Sequence, residues 1–128
     1  MTSNKEKVSS KEVGLEIGLV ISRFLYKTEH LHYGFWPDNL EIIPKNVQEA
    51  QDLHSKLIID AIPDNVETIL DVGSGSGGLA EKLINESYKV HCVSPSEYLA
   101  DAIEENWEVR SRYIDLHVKT FNSSNNMI

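Results

Sequence analysis

Three glycines spaced two apart follow an acid in Asp71-Val72-Gly73-Ser74-Gly75-Ser76-Gly77-Gly78. Such a run does chemistry through its main chain. Glycine takes positive φ without steric cost and lets a ligand come close to the backbone. The apolar run Thr68-Ile69-Leu70-Asp71-Val72 precedes it, and Leu79 to Ser87 follow at helical spacing, so the turn joins a buried strand to a helix. The start of that helix offers unpaired N–H groups and a partial positive charge, where a carboxylate or phosphate is welcome. Gly73, Gly75 and Gly78 also satisfy the dinucleotide pattern G-x-G-x-x-G, which alone is a weak signal. The phosphate-loop pattern fails, because no Gly-Lys-Ser/Thr closes the turn. Asp71, two residues before the first glycine, disfavours a pyrophosphate and favours a ligand with an ammonium group. A plain strand-to-helix turn without a ligand is the alternative.

Leu70-Asp71-Val72-Gly73-Ser74-Gly75-Ser76-Gly77 resembles the first motif of Rossmann-type S-adenosylmethionine-dependent methyltransferases. The resemblance implies that Gly73, Ser74, Gly75 and Gly77 hold the methionine part of S-adenosylmethionine and that Asp71 orients it. Val90-His91-Cys92-Val93-Ser94-Pro95-Ser96 resembles the second strand and turn of the family. The family's usual Asp or Glu, which bonds both ribose hydroxyls, is replaced by Ser94. A hydroxyl makes a weaker, single bond than a carboxylate. Ser94 followed by Ser96 is similar to a subset, the cyclopropane-fatty-acid synthases and tocopherol-type carbon methyltransferases. Leu31-His32-Tyr33-Gly34-Phe35-Trp36 resembles that subset's aromatic loop, and Glu49-Ala50-Gln51 its next helix. The resemblance implies that Tyr33 and Gln51 cover the cofactor; for both, core packing is the alternative. It also places Asn122 near the adenine amino group, bonding through its side-chain carbonyl.

The elements that must position these residues follow from periodicity. Residues 1–10 read as a disordered polar tail, 11–62 as N-terminal helices with an aromatic cap loop, and 63–128 as the first half of a methyltransferase domain. Val13, Ile17, Val20, Ile21, Phe24 and Leu25 recur at helical spacing from Lys11 to Glu29. Gly34 and Pro37 then break regular structure. Asn46, with Glu49 at the reciprocal position, is expected to cap a second helix that buries Val47, Ala50, Leu53, Leu57, Ile58 and Ala61. After the glycine turn come a helix with Leu79, Leu83 and Ile84 inward and a strand Lys89–Val93. Ser96 then caps a helix reaching Arg112, with Leu99, Ile103 and Trp107 on one face, and Tyr113–Phe121 reads as a third strand. This is the βαβαβ half of a Rossmann-like α/β fold, and right-handed crossovers place its strands in the order 3-2-1.

Other residues have bland readings. His30-x-His32 is the only close histidine pair, with no Cys or carboxylate cluster at ligand spacing, so no metal is expected. His54 falls at a helix edge, and His91 and His117 alternate out of strands. Cys92, in an apolar strand, reads as a small core residue. The Gly-Ser-Gly-Ser-Gly string is no nucleophile elbow, since no acid–histidine order follows it. Glu104, Glu105 and Glu108 read as a solvated helix face.

Composition narrows the partners. The 128 residues carry a net charge of −8, and the 12 Lys and Arg are scattered among acids. Such a surface repels phosphate backbones, so nucleic acid is not an expected partner. One cysteine allows no internal disulfide and suits a cytoplasmic protein; there is no signal-peptide pattern and no spanning apolar run. The family continues past a third strand, so the chain reads as a truncated half-fold. Strand Ile69–Val72 would then present an unpaired apolar edge, which predicts poor solubility, edge-paired self-association, or a remnant of a longer gene. Three functions stay open: the cofactor-binding half of a methyltransferase acting on a small molecule or lipid, a non-catalytic remnant or interaction module, and an NAD-binding half-domain, which Asp71 and Ser94 disfavour.

Overall fold

A computed structural model describes residues 9–108 and 118–120. The chain opens with helix α1 (Ser10–Ile21), which widens into a π-helical turn over Ser22–Tyr26. A loop leads to a 3-10 turn (Pro44–Asn46) and helix α2 (Val47–Asp60). Strand β1 (Thr68–Val72), helix α3 (Gly78–Asn85), strand β2 (Lys89–Ser94), helix α4 (Glu97–Glu108) and strand β3 (Val118–Thr120) complete the order. The sheet runs β1-β2-β3, all parallel, with Asp71 beside Cys92 and Ser94 beside Thr120. This is the expected 3-2-1 half-sheet.

Alternation decides what each strand face meets. Ile69 and Asp71 share a face with Val90, Cys92 and Ser94. Against that face pack Ala80 and Leu83 of α3 and Ile103 of α4, all at most 1% exposed. Leu70 and Val72 point the other way and are 64% and 71% exposed. Among the described residues β1 is an edge strand, so its outer backbone groups have no ladder partner.

The N-terminal helices depart from expectation. Expected to run to Glu29, α1 ends at Ile21, and the π turn after it stops where Lys27 takes φ 55°. Its face also differs: Val13, Ile17, Val20, Ile21, Phe24 and Leu25 are all at least 40% exposed. Leu19 is the buried residue, packed with Leu99 and Ala102 of α4 and flanked by Leu15, Leu31 and Tyr98. The periodic stripe is real, but α4 takes a narrower neighbouring face. In α2 the buried residues are Ala50, Gln51 and Ser55, while Leu57 and Ile58 are exposed. The expected Asn46 cap is absent: its Nδ2 donates to Glu41 O at 2.8 Å, because the preceding 3-10 turn already draws it into helical geometry. Ser96, by contrast, does cap α4, accepting from Leu99 N at 3.2 Å. The tail to residue 8, the Tyr113–His117 part of the third strand, Asn122 and the C-terminal tail lie outside the described residues, as does the Trp107 side chain.

Candidate functional site

The glycine turn is built by its backbone. Gly73, Gly75 and Gly77 have φ of 78°, 58° and 89°, a region that favours glycine. Gly73 N and Ser74 N donate to Val93 O at 2.8 and 3.3 Å, fastening the turn to β2. Gly77 N donates to Ser74 O at 2.9 Å and hands the chain to α3. A Cβ on Gly73 or Gly75 would meet nothing within 4 Å, so open space stands over the turn.

Asp71 reaches this space from the covered face of β1. Its Oδ2 is buried and has no hydrogen-bond partner among the described residues. Burial raises its pKa above the ordinary carboxylate value. An unpaired buried carboxylate is costly, so a donor arriving here would be well received. The neighbouring Cys92 thiol is pushed up to about 11, by burial first and then by Asp71, so it stays protonated and is no nucleophile.

A second wall comes from the loop between α1 and α2. Glu29, His30, Leu31 and His32 face Asp71 and the turn across a cleft of about 150 Å³. The loop is fastened from both sides. Ser76 Oγ donates to Glu29 O from the turn. Gln51 Nε2 donates to His30 O at 3.3 Å and His32 O at 2.7 Å from α2. Phe35 N donates to Ala50 O at 2.8 Å, and Gly34, at φ 84°, lies so close to α2 that a Cβ would come within 2.6 Å of the Ala50 carbonyl carbon. Gly78 serves the same end, since a Cβ there would come within 2.8 Å of the His30 ring. His30, His32 and His54 form a row of rings tilted to one another, with centroids 4.8 and 4.4 Å apart. Burial, then His32 and Lys82, lower the His30 pKa to about 4, so its ring is neutral at pH 7. Among the described residues no group of His, Cys, Asp or Glu is arranged to hold a metal ion.

The structure therefore brings Asp71, Gly73, Ser74 and Gly75 together on one cleft, with Gly77 buried just behind as the start of α3. Ser94 and Ser96 lie at the end of the neighbouring strand, both fully buried. Gln51 stands behind the loop and positions it. Tyr33 is 93% exposed and is not among the residues lining the cleft. Asn122 is outside the described residues. Sequence reasoning missed His30 as a wall of the cleft. The pair His30-x-His32 is visible in the sequence, but only a fold places the His30 ring against Gly78.

No protein-family model matches the sequence, and no curated protein matches it. Solved structures do. The cyclase SpnF matches at TM-score 0.68 and 18% identity, over 90% of this chain and 43% of its own. A geranyl diphosphate methyltransferase in complex with geranyl diphosphate and sinefungin matches at TM-score 0.63 and 15% identity, over 82% and 44%. The cyclopropane synthase MmaA2 from Mycobacterium tuberculosis matches at TM-score 0.56 and 18% identity, over 70% and 31%. The chain spans less than half the length of each. The chain thus shares the fold of part of these solved structures, among them a geranyl diphosphate methyltransferase.

Proposed function

We propose that the chain binds S-adenosylmethionine in the cleft over the glycine turn and serves as the cofactor-binding part of a methyltransferase acting on a small molecule or lipid. The observation that carries this is the orphaned Asp71 Oδ2 beside a turn whose space is open. An α-ammonium would give that oxygen the donor it lacks, and the N-terminus of α3 would take the accompanying carboxylate. The cleft volume suits an amino-acid moiety rather than a whole nucleoside. When bound, the cofactor supplies a methyl group on a positively charged sulfur. The chain's residues hold and orient it, and the His30–His32 wall keeps water from one side. The solved relatives support the substrate class, since their names include a geranyl diphosphate methyltransferase and cyclopropane synthases. The match to a cyclase shows that the fold alone does not dictate the reaction. Among the described residues no helix is long and apolar enough to cross a membrane. That and the single buried cysteine support a cytoplasmic setting. Among the described residues the outer edge of β1 has no strand partner, and Leu70 and Val72 are exposed there, which supports association through that strand.

Calorimetric titration with S-adenosylhomocysteine, against NAD as the control, tests the reading. S-adenosylhomocysteine should bind and NAD should not. Asp71→Asn should weaken binding about 10- to 100-fold, the range of a charge-assisted hydrogen bond. Binding of NAD alone would overturn the assignment, and a folded chain that binds neither would support a non-catalytic remnant.

A further inference from the structure

We infer that His32 is an acid-released latch: it holds the loop over the glycine turn while its ring is neutral, and a further proton on the ring loosens that wall of the cleft. The latch is one hydrogen bond, in which Gly34 N donates to His32 Nδ1 at 3.1 Å. Nδ1 can accept only with its lone pair free, so the ring is the tautomer that carries its proton on Nε2. A second proton turns Nδ1 into a donor facing a donor. Gly34 has little freedom to turn away. It takes φ 84° against the Ala50 main chain, and the next amide, Phe35 N, donates to Ala50 O at 2.8 Å. The seat of the loop on α2 therefore depends on the state of one ring nitrogen.

The surroundings work against that second proton. Within the loop, the His30 ring stands 4.8 Å from the His32 ring, centroid to centroid. From α2, the His54 ring stands 4.4 Å away, and its Nδ1 is buried with no hydrogen-bond partner among the described residues. From α3 comes the Lys82 ammonium, paired with Asp52 of α2. Glu29 of the loop pairs with Arg23, and Asp71 of β1 lines the cleft opposite the loop. The carboxylates Asp52 and Glu29 are thus already engaged by cations. Burial, then His54 and Lys82, hold the His32 pKa below the ordinary 6.5. His32 is half-buried and His30 buried, so His32 meets the first proton. The latched loop resists a proton that a loosened loop accepts. Latching is therefore fully present above pH 6.5 and is lost as pH falls through the lower value of the latched ring. Gln51 and Ser76 grip the loop carbonyls by bonds that do not titrate, so acid addresses the latch. Because His30 and His32 line the cleft with Asp71 and the glycine turn, the latch gates that cleft; the gating, unlike the latch, rests on the cofactor reading above.

The test is hydrogen exchange on the full chain without ligand, from about pH 8 to about pH 5, with rates corrected for their intrinsic pH dependence. The probes are the amides of Gly34 and Phe35, with those of β2 as the folded reference. In wild type the corrected Gly34 and Phe35 rates should rise about 3- to 10-fold toward the acid end, the range of one hydrogen bond, while β2 stays protected. His32→Asn puts an amide oxygen that does not titrate in the place of Nδ1 and should give a flat profile. His32→Phe offers no acceptor and should exchange fast at both ends, which tests the latch even where the Asn variant does not fold. A flat wild-type profile, or the wild-type rise persisting in either variant, overturns the latch. Titration with S-adenosylhomocysteine at both ends of the range reads the gating. Acid should weaken binding more in wild type than in His32→Asn, since Asp71 contributes the same loss to each. Equal losses overturn the gating of the cleft, whereas no binding at the alkaline end overturns the cofactor reading and leaves the latch standing.

Discussion

The unit β1-α3-β2-α4 and the N-terminal helices are held in different ways. The first is stapled by apolar burial: Ala80, Leu83, Val90, Cys92 and Ile103 are all at most 1% exposed and touch one another. The second is held by close backbone approach and polar clamps: Gly34 against Ala50, Gln51 on two loop carbonyls, Ser76 on Glu29, Ser55 on Gln51. Most of the apolar side chains of α1 meanwhile point outward, Leu19 excepted. A hydrophobic stripe thus identifies a helix in both regions, but locates the core in only one. In the βαβ unit the crossover leaves each helix a single sheet face to cover, so the apolar stripe and the buried face coincide. No such constraint acts on α1. It docks through Leu19 and Glu12, and its broader stripe stays open.

The contrast can be broken most forcefully in the core. Leu83→Ala removes a fully buried side chain and should cost about 3 kcal/mol or more in denaturant unfolding. Phe24→Ala, at 73% exposure, should stay within about 0.5 kcal/mol of wild type. Equal losses would mean that the outer stripe of α1 is covered after all. Next comes the clamp. Gly34→Ala introduces a Cβ at φ 84° against the Ala50 main chain, where neither partner is a flexible side-chain end. Left-handed strain and overlap together should cost about 2–3 kcal/mol. Hydrogen exchange should show the loss concentrated in the loop and α2, with β2 still protected. A uniform loss of protection would show that the two regions unfold as one.

The same contrast explains which features are legible in the amino-acid sequence. β1, the glycine turn, α3, β2 and the Ser96 cap of α4 are written locally, in periodicity, glycine spacing and cap chemistry, and the structure has them where the sequence puts them. The strand order follows from handedness alone. The end of α1 is not legible, because a π turn and a left-handed Lys27 leave no composition signal. Nor is the idle Asn46, whose amide answers to Glu41 rather than to the helix it precedes. The cleft is half legible. Asp71 and the glycines announce themselves by spacing, whereas His30 and Ser76 acquire partners 47 or more residues away, which no local pattern encodes.

The smallest expected effect is also the one most specific to the clamp. His30 is buried among His32, Lys82, Asp52 and His54, and its folded pKa of about 4 lies below the ordinary histidine value of 6.5. The folded state therefore resists a proton that the unfolded chain accepts. The stability tied to the neutral ring is fully present above pH 6.5 and is lost as pH falls through about 4. Asp71 acts with the opposite sign. Burial raises its pKa, so it favours the fold at low pH and loses that contribution as pH rises through its folded value. Acid destabilisation between pH 6.5 and 4 should accordingly soften in His30→Phe, by about 1–2 kcal/mol at the acid end, and steepen in Asp71→Asn. His32, whose pKa is also lowered by burial and by His54, leaves a residual slope in His30→Phe. Urea unfolding at closely spaced pH values reads both. An unaltered acid slope in His30→Phe would mean that its ring is open to water, and that the loop stands off the glycine turn in solution.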